Sequence, residues 1–334
     1  MNSMHGADSR RIAFSLARAL SLLVLAACAA APRLPAQERD DEIVANLAAG
    51  RVIVHVARDG IVFATVEQAA EADSLAPRVV ALDARHIGVL LGAVEWQIPA
   101  GAKPLRLEKG VPRLGGVEGL SPSQLADENT DLEMIGVAYL EALRKFAGRL
   151  HHRIELQPDE PLLQLVVIGY APGGYGPEVW LYEYRAAQEA LRGGYYQTRV
   201  LRPRTTQLYP PEKHAPRTLL EVRYPRDAAG ATLQEKIEHN DLMIARLARS
   251  EPKFARVVEK IQAGKASAVA LADAAEFLRA AVVPLVGKGR FAVGSWSENR
   301  GLDWLVPPAE SLEKAREDQN RPPEAPTLLR KPKP

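Results

Sequence analysis

Residues 52–66 read VIVHVARDGIVFATV, and this stretch predicts a β-hairpin. Two apolar, largely β-branched runs flank an Asp-Gly dipeptide, which suits a tight turn between antiparallel strands. The arrangement returns in residues 79–91, where two apolar runs surround a polar turn. Residues 43–98 are therefore predicted to form a small β-rich unit. The sequence leaves open whether that unit is a separate domain.

Residues 99–123 interrupt the strand pattern. Four Pro and five Gly fall within these 25 positions. Such a density of Pro and Gly is typical of a linker or a long surface loop, because both residues break regular structure. The segment is predicted to separate the β-rich unit from a larger α+β domain over residues 124–306.

The α+β domain opens with the clearest helical pattern of the chain. Apolar residues at spacings of three and four form one stripe that runs from Leu132 through Tyr139 to Leu150. Four strand patterns follow, at residues 162–170, 178–184, 195–201 and 219–224. The intervening residues 186–192 fit either a helical turn or a strand.

Three helices and one further strand are predicted after these strands. Thr232 and Glu235 have the spacing of a capping box at the start of the first helix. Residues 239–241, His-Asn-Asp, are expected on a solvated face in the middle of that helix. Pro252 begins the second helix, since Pro is favoured in the first helical turn. The late strand is predicted at residues 290–296.

The remaining residues, 307–334, are predicted to be a disordered tail. They contain seven Pro and few large apolar side chains. The whole pattern predicts an α+β protein: an N-terminal β unit, then a mainly antiparallel sheet with one long helix before it and three helices after it.

The N-terminal 27 residues have the composition of a bacterial secretion signal. Arg10, Arg11 and Arg18 form a basic region, and an apolar run interrupted only by Ser21 follows at residues 19–27. The run has the length of a signal-peptide core and is too short to span a bilayer as a permanent anchor. The mature protein is therefore expected to be exported from the cytoplasm.

The signal ends in Leu25-Ala26-Ala27-Cys28, which resembles the lipobox of bacterial lipoproteins. The resemblance implies that Cys28 becomes lipid-modified and is the first residue of a mature lipoprotein. A lipid on Cys28 would be the only membrane anchor and would place the protein in the periplasm or at the outer membrane. The alternative is ordinary cleavage after small residues, with Ala36 as one candidate, and release of a soluble secreted protein.

The net charge argues against a nucleic-acid partner. Without residues 1–27 the net charge is (43 − 3) − (41 − 1) = 0. A neutral chain argues against nucleic acid as a partner, because that interaction depends on neutralising phosphates. The sequence contains no recognisable cofactor, nucleotide or metal-binding motif, so none is predicted. Cys28 is the only cysteine.

An aromatic and arginine-rich segment is the strongest candidate for a binding surface. Eight of the nine Tyr lie between Tyr170 and Tyr224. The period of two in a strand places Trp180, Tyr182 and Tyr184 on one face. Aromatic and Arg side chains combine a large contact area with polar groups, as binding surfaces require. The predicted binding residues are Trp180, Tyr182, Tyr184, Arg185, Tyr196 and Arg199. A helix packed on the aromatic face would bury it instead.

The sequence thus predicts a non-catalytic envelope protein that binds a protein or a glycan of the cell envelope through a Tyr/Arg-rich sheet face. The rival hypothesis is an envelope hydrolase whose catalytic residues are dispersed along the chain. Its candidate residues are His151, His152, Asp159 and Glu160, which lie close to predicted strand ends.

Overall fold

The computed structural model describes residues 44–68, 75–83, 85–97, 105–107, 132–150, 153–154, 156, 158–211, 218–286 and 289–308. The predicted signal peptide, Cys28 and the tail from residue 309 onward lie outside these residues, as does most of the segment 99–123.

Strands dominate the described chain. In chain order they are β1 (Val44–Ala48), β2 (Gly50–Ala57), β3 (Gly60–Glu67), β4 (Arg78–Ala81), β5 (His86–Gln97), β6 (Leu105–Arg106), β7 (Leu163–Ala171), β8 (Gly176–Tyr184), β9 (Ala186–Ala190), β10 (Tyr196–Val200), β11 (Arg204–Tyr209), β12 (Leu219–Tyr224), β13 (Phe291–Ser297) and β14 (Gly301–Val306). The helices are α1 (Leu132–Ala147), α2 (Leu233–Glu238), α3 (Leu242–Ser250), α4 (Pro252–Gln262) and α5 (Leu271–Val286).

Two antiparallel sheets form the framework. Sheet A has the strand order β1-β5-β7-β8-β11, with β4 and β6 also paired to β5. Sheet B has the order β12-β2-β3-β13-β14, and β9 and β10 form a two-stranded sheet. Because β5 pairs with β7, β2 with β12 and β3 with β13, residues 43–98 supply strands to both sheets rather than a sheet of their own.

The sheets pack face to face, and helices cover both outer faces. Side chains such as Val54 and Phe63 of sheet B meet Val89 and Val166 of sheet A in the central layer. Helix α1 covers the outer face of sheet A, and α2–α5 cover the outer face of sheet B. Strands β2 and β3 are covered on both sides, which explains why the stretch at residues 52–66 is apolar at nearly every position. The predicted α+β class is confirmed.

The first predicted C-terminal helix is divided in two. Asn240 adopts a left-handed conformation with φ of 49°, and the Asp241 carboxylate accepts a hydrogen bond from the backbone N–H of Met243 at 2.8 Å. Asp241 thereby caps α3, so the expectation that residues 239–241 lie within a continuous helix is wrong. The capping box of Thr232 and Glu235 at the start of α2 is confirmed. In the described chain, four helices rather than three therefore lie between β12 and β13.

Candidate functional site

The predicted aromatic face of β8 is buried beneath helix α1. Tyr182 is 3% exposed and Tyr184 is 0% exposed. The Tyr182 hydroxyl donates to the backbone oxygen of Leu132 at 2.8 Å, and the Tyr184 hydroxyl donates to that of Gly136 at 3.0 Å. The prediction that these two tyrosines form an exposed binding surface is therefore wrong: they hold the helix against sheet A.

Gly136 allows the close approach of α1 to this face. A Cβ atom at this position would lie 2.8 Å from Cε1 of the Tyr182 ring, which is too close for an ordinary contact. Trp180, the third residue of the face, is only partly buried and packs at the margin of the same core. Its indole Nε1 donates to Glu178 at 2.8 Å. Of the trio, only Trp180 therefore keeps part of its side chain accessible to a partner.

The other three predicted binding residues come together around the β9–β10 hairpin. Arg185 and Tyr196 line a cleft of about 500 Å³ beside this hairpin, here called the hairpin cleft. Arg199 lines a second depression of about 460 Å³, here called the arginine pocket. Leu201 lines both, so the two depressions adjoin. For residues 186–192 the sequence left a helical turn and a strand open, and the strand is observed: residues 186–190 form β9.

The hairpin is anchored to its surroundings on both sides. On one side, the Gln188 side chain accepts from the N–H of Ile154 at 3.1 Å and donates to Thr198 Oγ1 at 2.9 Å. On the other side, Arg144 of α1 donates from Nε to the backbone oxygen of Val200 at 3.3 Å. These bonds fix β9 and β10 relative to α1 and to the segment before β7.

The hairpin cleft combines polar groups of both charges with an apolar floor. The polar lining residues are Arg153, Asp159, Glu160, Arg185, Gln188 and Tyr196, and the apolar ones are Ile154, Leu156, Ala186, Ala190 and Leu201. Its volume lies within the range of about 300–1,000 Å³ that is usual for ligand-binding pockets. Such a lining suits a ligand with hydrogen-bonding groups along an otherwise neutral chain.

Asp159 and Glu160, which the hydrolase hypothesis singled out, both line this cleft but differ in environment. Asp159 is exposed and has a left-handed backbone with φ of 62°. Its carboxylate lies 3.7 Å from the partly buried Arg185, and because Asp159 is open to solvent this ion pair contributes little to stability. Glu160 is buried, and both of its carboxylate oxygens accept from the N–H of Arg226 at 3.1 Å. Burial raises the pKa of Glu160, although Arg226 opposes the shift.

A buried polar network continues behind Glu160. The guanidinium of Arg226 pairs with Glu183, and Gln164 donates to the same carboxylate at 3.4 Å. Tyr224 lies near Glu160, and burial raises the pKa of its hydroxyl. Within the described part of the chain, this hydroxyl and Gln164 Oε1 have no hydrogen-bond partner. The histidines of the hydrolase hypothesis, His151 and His152, lie outside the described residues.

A second polar cluster, centred on His86, was not predicted from the sequence. His86 is 3% exposed, with Nδ1 at 2.9 Å from Asp83 and Nε2 at 2.9 Å from Glu178. Burial alone lowers the pKa of His86, but the two carboxylates outweigh burial and raise it to about 9. Both ring nitrogens therefore donate, and the charged ring joins the turn before β5 to strand β8. Asp83 and His86 lie in the polar turn predicted between two apolar runs. Glu178, however, is 92 positions from His86, so no short-range pattern in the sequence could connect the two.

No protein-family model matches the chain, and no curated protein matches it. Among the helices of the described residues, none is both long and apolar enough to cross a membrane. The same residues include no group of three or more His, Cys, Asp or Glu arranged to hold a metal ion.

Proposed function

We propose that this chain is an exported, non-catalytic binding protein of the bacterial cell envelope and that its ligand occupies the hairpin cleft. The observation that supports the proposal is the convergence of Tyr196 and Arg185 with Arg153 and Gln188 around one apolar-floored cleft. An aromatic ring beside several hydrogen-bond donors suits an extended polar chain, as in a segment of an envelope protein or glycan.

Tyr196 is the residue through which the proposal is tested. Its ring is partly exposed on β10, so truncation to alanine is expected to leave the melting temperature nearly unchanged. If Tyr196 is a binding hot spot worth about 2 kcal/mol, Tyr196→Ala weakens ligand binding about thirtyfold. The measurement is binding of the purified protein to an array of envelope glycan fragments and peptides, followed by titration of each positive probe.

Tyr175→Ala is the matched control. Tyr175 is 89% exposed and lies in the β7–β8 turn, at the opposite end of those strands from Tyr184 and the hairpin. The control variant should bind every positive probe as the wild type does. Equal binding of all probes by the wild type and Tyr196→Ala would contradict a ligand site in the hairpin cleft.

The proposed location follows from residues 1–28. The basic region, the apolar run and Cys28 are the basis for export and for a lipid anchor, which would hold the protein in the periplasm or at the outer membrane. The alternative remains cleavage near Ala36 and a soluble secreted protein. The interaction with a membrane would then be absent, whereas the ligand site in the hairpin cleft would be unchanged.

Cys28→Ala distinguishes the two locations. The variant is expected to move from the membrane fraction to the soluble exported fraction, because it cannot accept acyl chains. Cell fractionation measures the change, and mass spectrometry of the wild-type N-terminus identifies the modification. An unmodified mature N-terminus near Gln37 would contradict the lipid anchor but not export.

A second candidate function is an envelope hydrolase, and the environment of Glu160 favours it. A carboxyl group whose pKa is raised by burial at the edge of a cleft has the property required of a general acid. The same probe array separates the two functions. A hydrolase converts a bound probe into fragments that mass spectrometry detects, whereas a binding protein releases the probe intact.

A further inference from the structure

The arginine pocket has an unusual concentration of positive charge. Its lining consists of Arg144, Thr198, Arg199, Val200, Leu201 and Arg202. Three of these six side chains are guanidinium groups, which stay protonated at every physiological pH. They come from two parts of the chain, α1 and the end of β10, so the fold rather than the sequence order brings them together.

Several arginines of the described chain pair with a carboxylate, whereas these three do not. Arg78, for example, pairs with Glu95 at 2.7 Å, and Arg290 pairs with Glu67 at 3.0 Å. Within the described residues, by contrast, no carboxylate pairs with Arg144, Arg199 or Arg202, and none lines their pocket. Three like charges around one depression repel each other, and an anion placed between them would remove that repulsion.

The frame of the pocket is fixed rather than loose. Arg144 is held by its Nε bond to the backbone oxygen of Val200, which leaves its terminal amino groups for a ligand. Thr198 is buried and accepts a hydrogen bond from Gln188, and Val200 is buried in the core beneath α1. Guanidinium groups on a fixed frame bind carboxylates and phosphates through paired, charge-assisted hydrogen bonds.

We propose that the arginine pocket is an anion-binding subsite for a carboxylate or phosphate group. Its boundary with the hairpin cleft is Leu201, which is 42% exposed. A ligand that crosses Leu201 would place its neutral part beside Tyr196 and its acidic group among the three arginines. The ligand of the hairpin cleft is therefore acidic, and this part of the inference rests on the proposed function. Anion binding by the arginine pocket itself does not depend on the proposed function.

The test is calorimetric titration of the purified protein with citrate and, separately, with pyrophosphate at constant ionic strength. Both anions are small enough for the pocket, and chloride at the same ionic strength measures screening alone. Replacing Arg199 or Arg202 with Gln removes one charge from an exposed position, so folding should be unaffected. Each single variant is expected to weaken anion binding about tenfold, and the double variant more.

Arg192→Gln is the matched control, because Arg192 is exposed in the turn of the same hairpin but does not line the pocket. It should bind both anions as the wild type does. Equal affinity of the wild type and the double variant would overturn the proposal, and so would an equal loss in Arg192→Gln, which would indicate a nonspecific charge effect. Preference for citrate or for pyrophosphate identifies a carboxylate or a phosphate as the natural group.

The same variants separate this inference from the proposed function. One outcome is that Tyr196→Ala is the only variant that no longer binds the probes of the envelope array, with the Arg199 and Arg202 variants binding them as the wild type does. In that case the cleft binds a neutral ligand and the acidic-ligand inference is wrong. If the anions bind in the pocket while Tyr196→Ala keeps every array probe, the pocket is supported and the cleft proposal fails.

Discussion

Replacing Tyr184 with alanine should lower the free energy of unfolding by about 3–5 kcal/mol, the usual cost of emptying a large aromatic site in a core. Tyr184 is fully buried between sheet A and α1, and its hydroxyl donates a hydrogen bond to the backbone oxygen of Gly136. The substitution removes both the ring and the bond to the helix. Urea unfolding followed by circular dichroism measures the change.

Two further variants divide this loss into its parts. Tyr184→Phe keeps the ring and removes only the hydroxyl, so it should cost about 1 kcal/mol, the net value of one neutral hydrogen bond. Tyr175→Ala, at an exposed position, should cost less than about 0.5 kcal/mol. A loss in Tyr184→Ala as small as that in Tyr175→Ala would show that α1 does not cover this face in solution.

The protein should lose stability as the pH rises from 7 to above 9, because His86 is charged in the fold. Its pKa is about 9 in the folded state and 6.5 in an unfolded chain. Between these values the folded state binds more protons, so the stabilisation is complete below pH 6.5 and lost as the pH passes through 9. The loss is of the order of 3 kcal/mol.

Urea unfolding at several pH values above 7 measures this loss, and NMR titration of the His86 ring measures the pKa directly. Glu178→Gln is the control, because it keeps the shape of one partner of His86 but removes its charge. The variant should show a lower His86 pKa and a weaker pH dependence. Titration of the wild-type ring near 6.5 would mean that the two carboxylates do not enclose it.

A second buried histidine has the opposite effect on the pH dependence of stability, so the pH range of the measurement matters. His55 of β2 is completely buried and lies 3.1 Å from the backbone oxygen of Ala266. Burial lowers the pKa of His55, so the folded state keeps this ring neutral. Its contribution is present above pH 6.5 and is lost as the pH falls below that value. Of these two histidines, therefore, only His86 contributes to the change in unfolding free energy that is measured above pH 7.

The candidate site was only partly predictable. Arg185, Tyr196 and Arg199 were identified by residue type alone, and all three line depressions at the β9–β10 hairpin. Arg144 was not identified, because it belongs to a helix more than fifty positions from Arg199. Arg202 lies in the same arginine-rich segment as Arg199, but nothing in the sequence distinguished it from the other arginines there. A cluster assembled from distant segments leaves no spacing signal in the sequence.

Local patterns determined most of the individual elements. The apolar runs around Asp59 and Gly60, the capping box at Thr232 and the strand at residues 162–170 all follow from short-range chemistry: turn preference, end capping and side-chain period. The break at Asn240 was missed, since the same apolar stripe continues on both sides of it and only the backbone shows the interruption.

The sequence by itself thus determined most of the helices and strands, though not β1, β11 or β14, and it placed an aromatic row on one face of β8. Only the tertiary structure decided which layer covers each face. Strand pairing distributed residues 43–98 between two sheets, and α1 came to lie on the aromatic row, where Gly136 gives the Tyr182 ring room. The physical reason is that a period of two assigns side chains to a face, whereas burial depends on contacts between segments far apart in the chain.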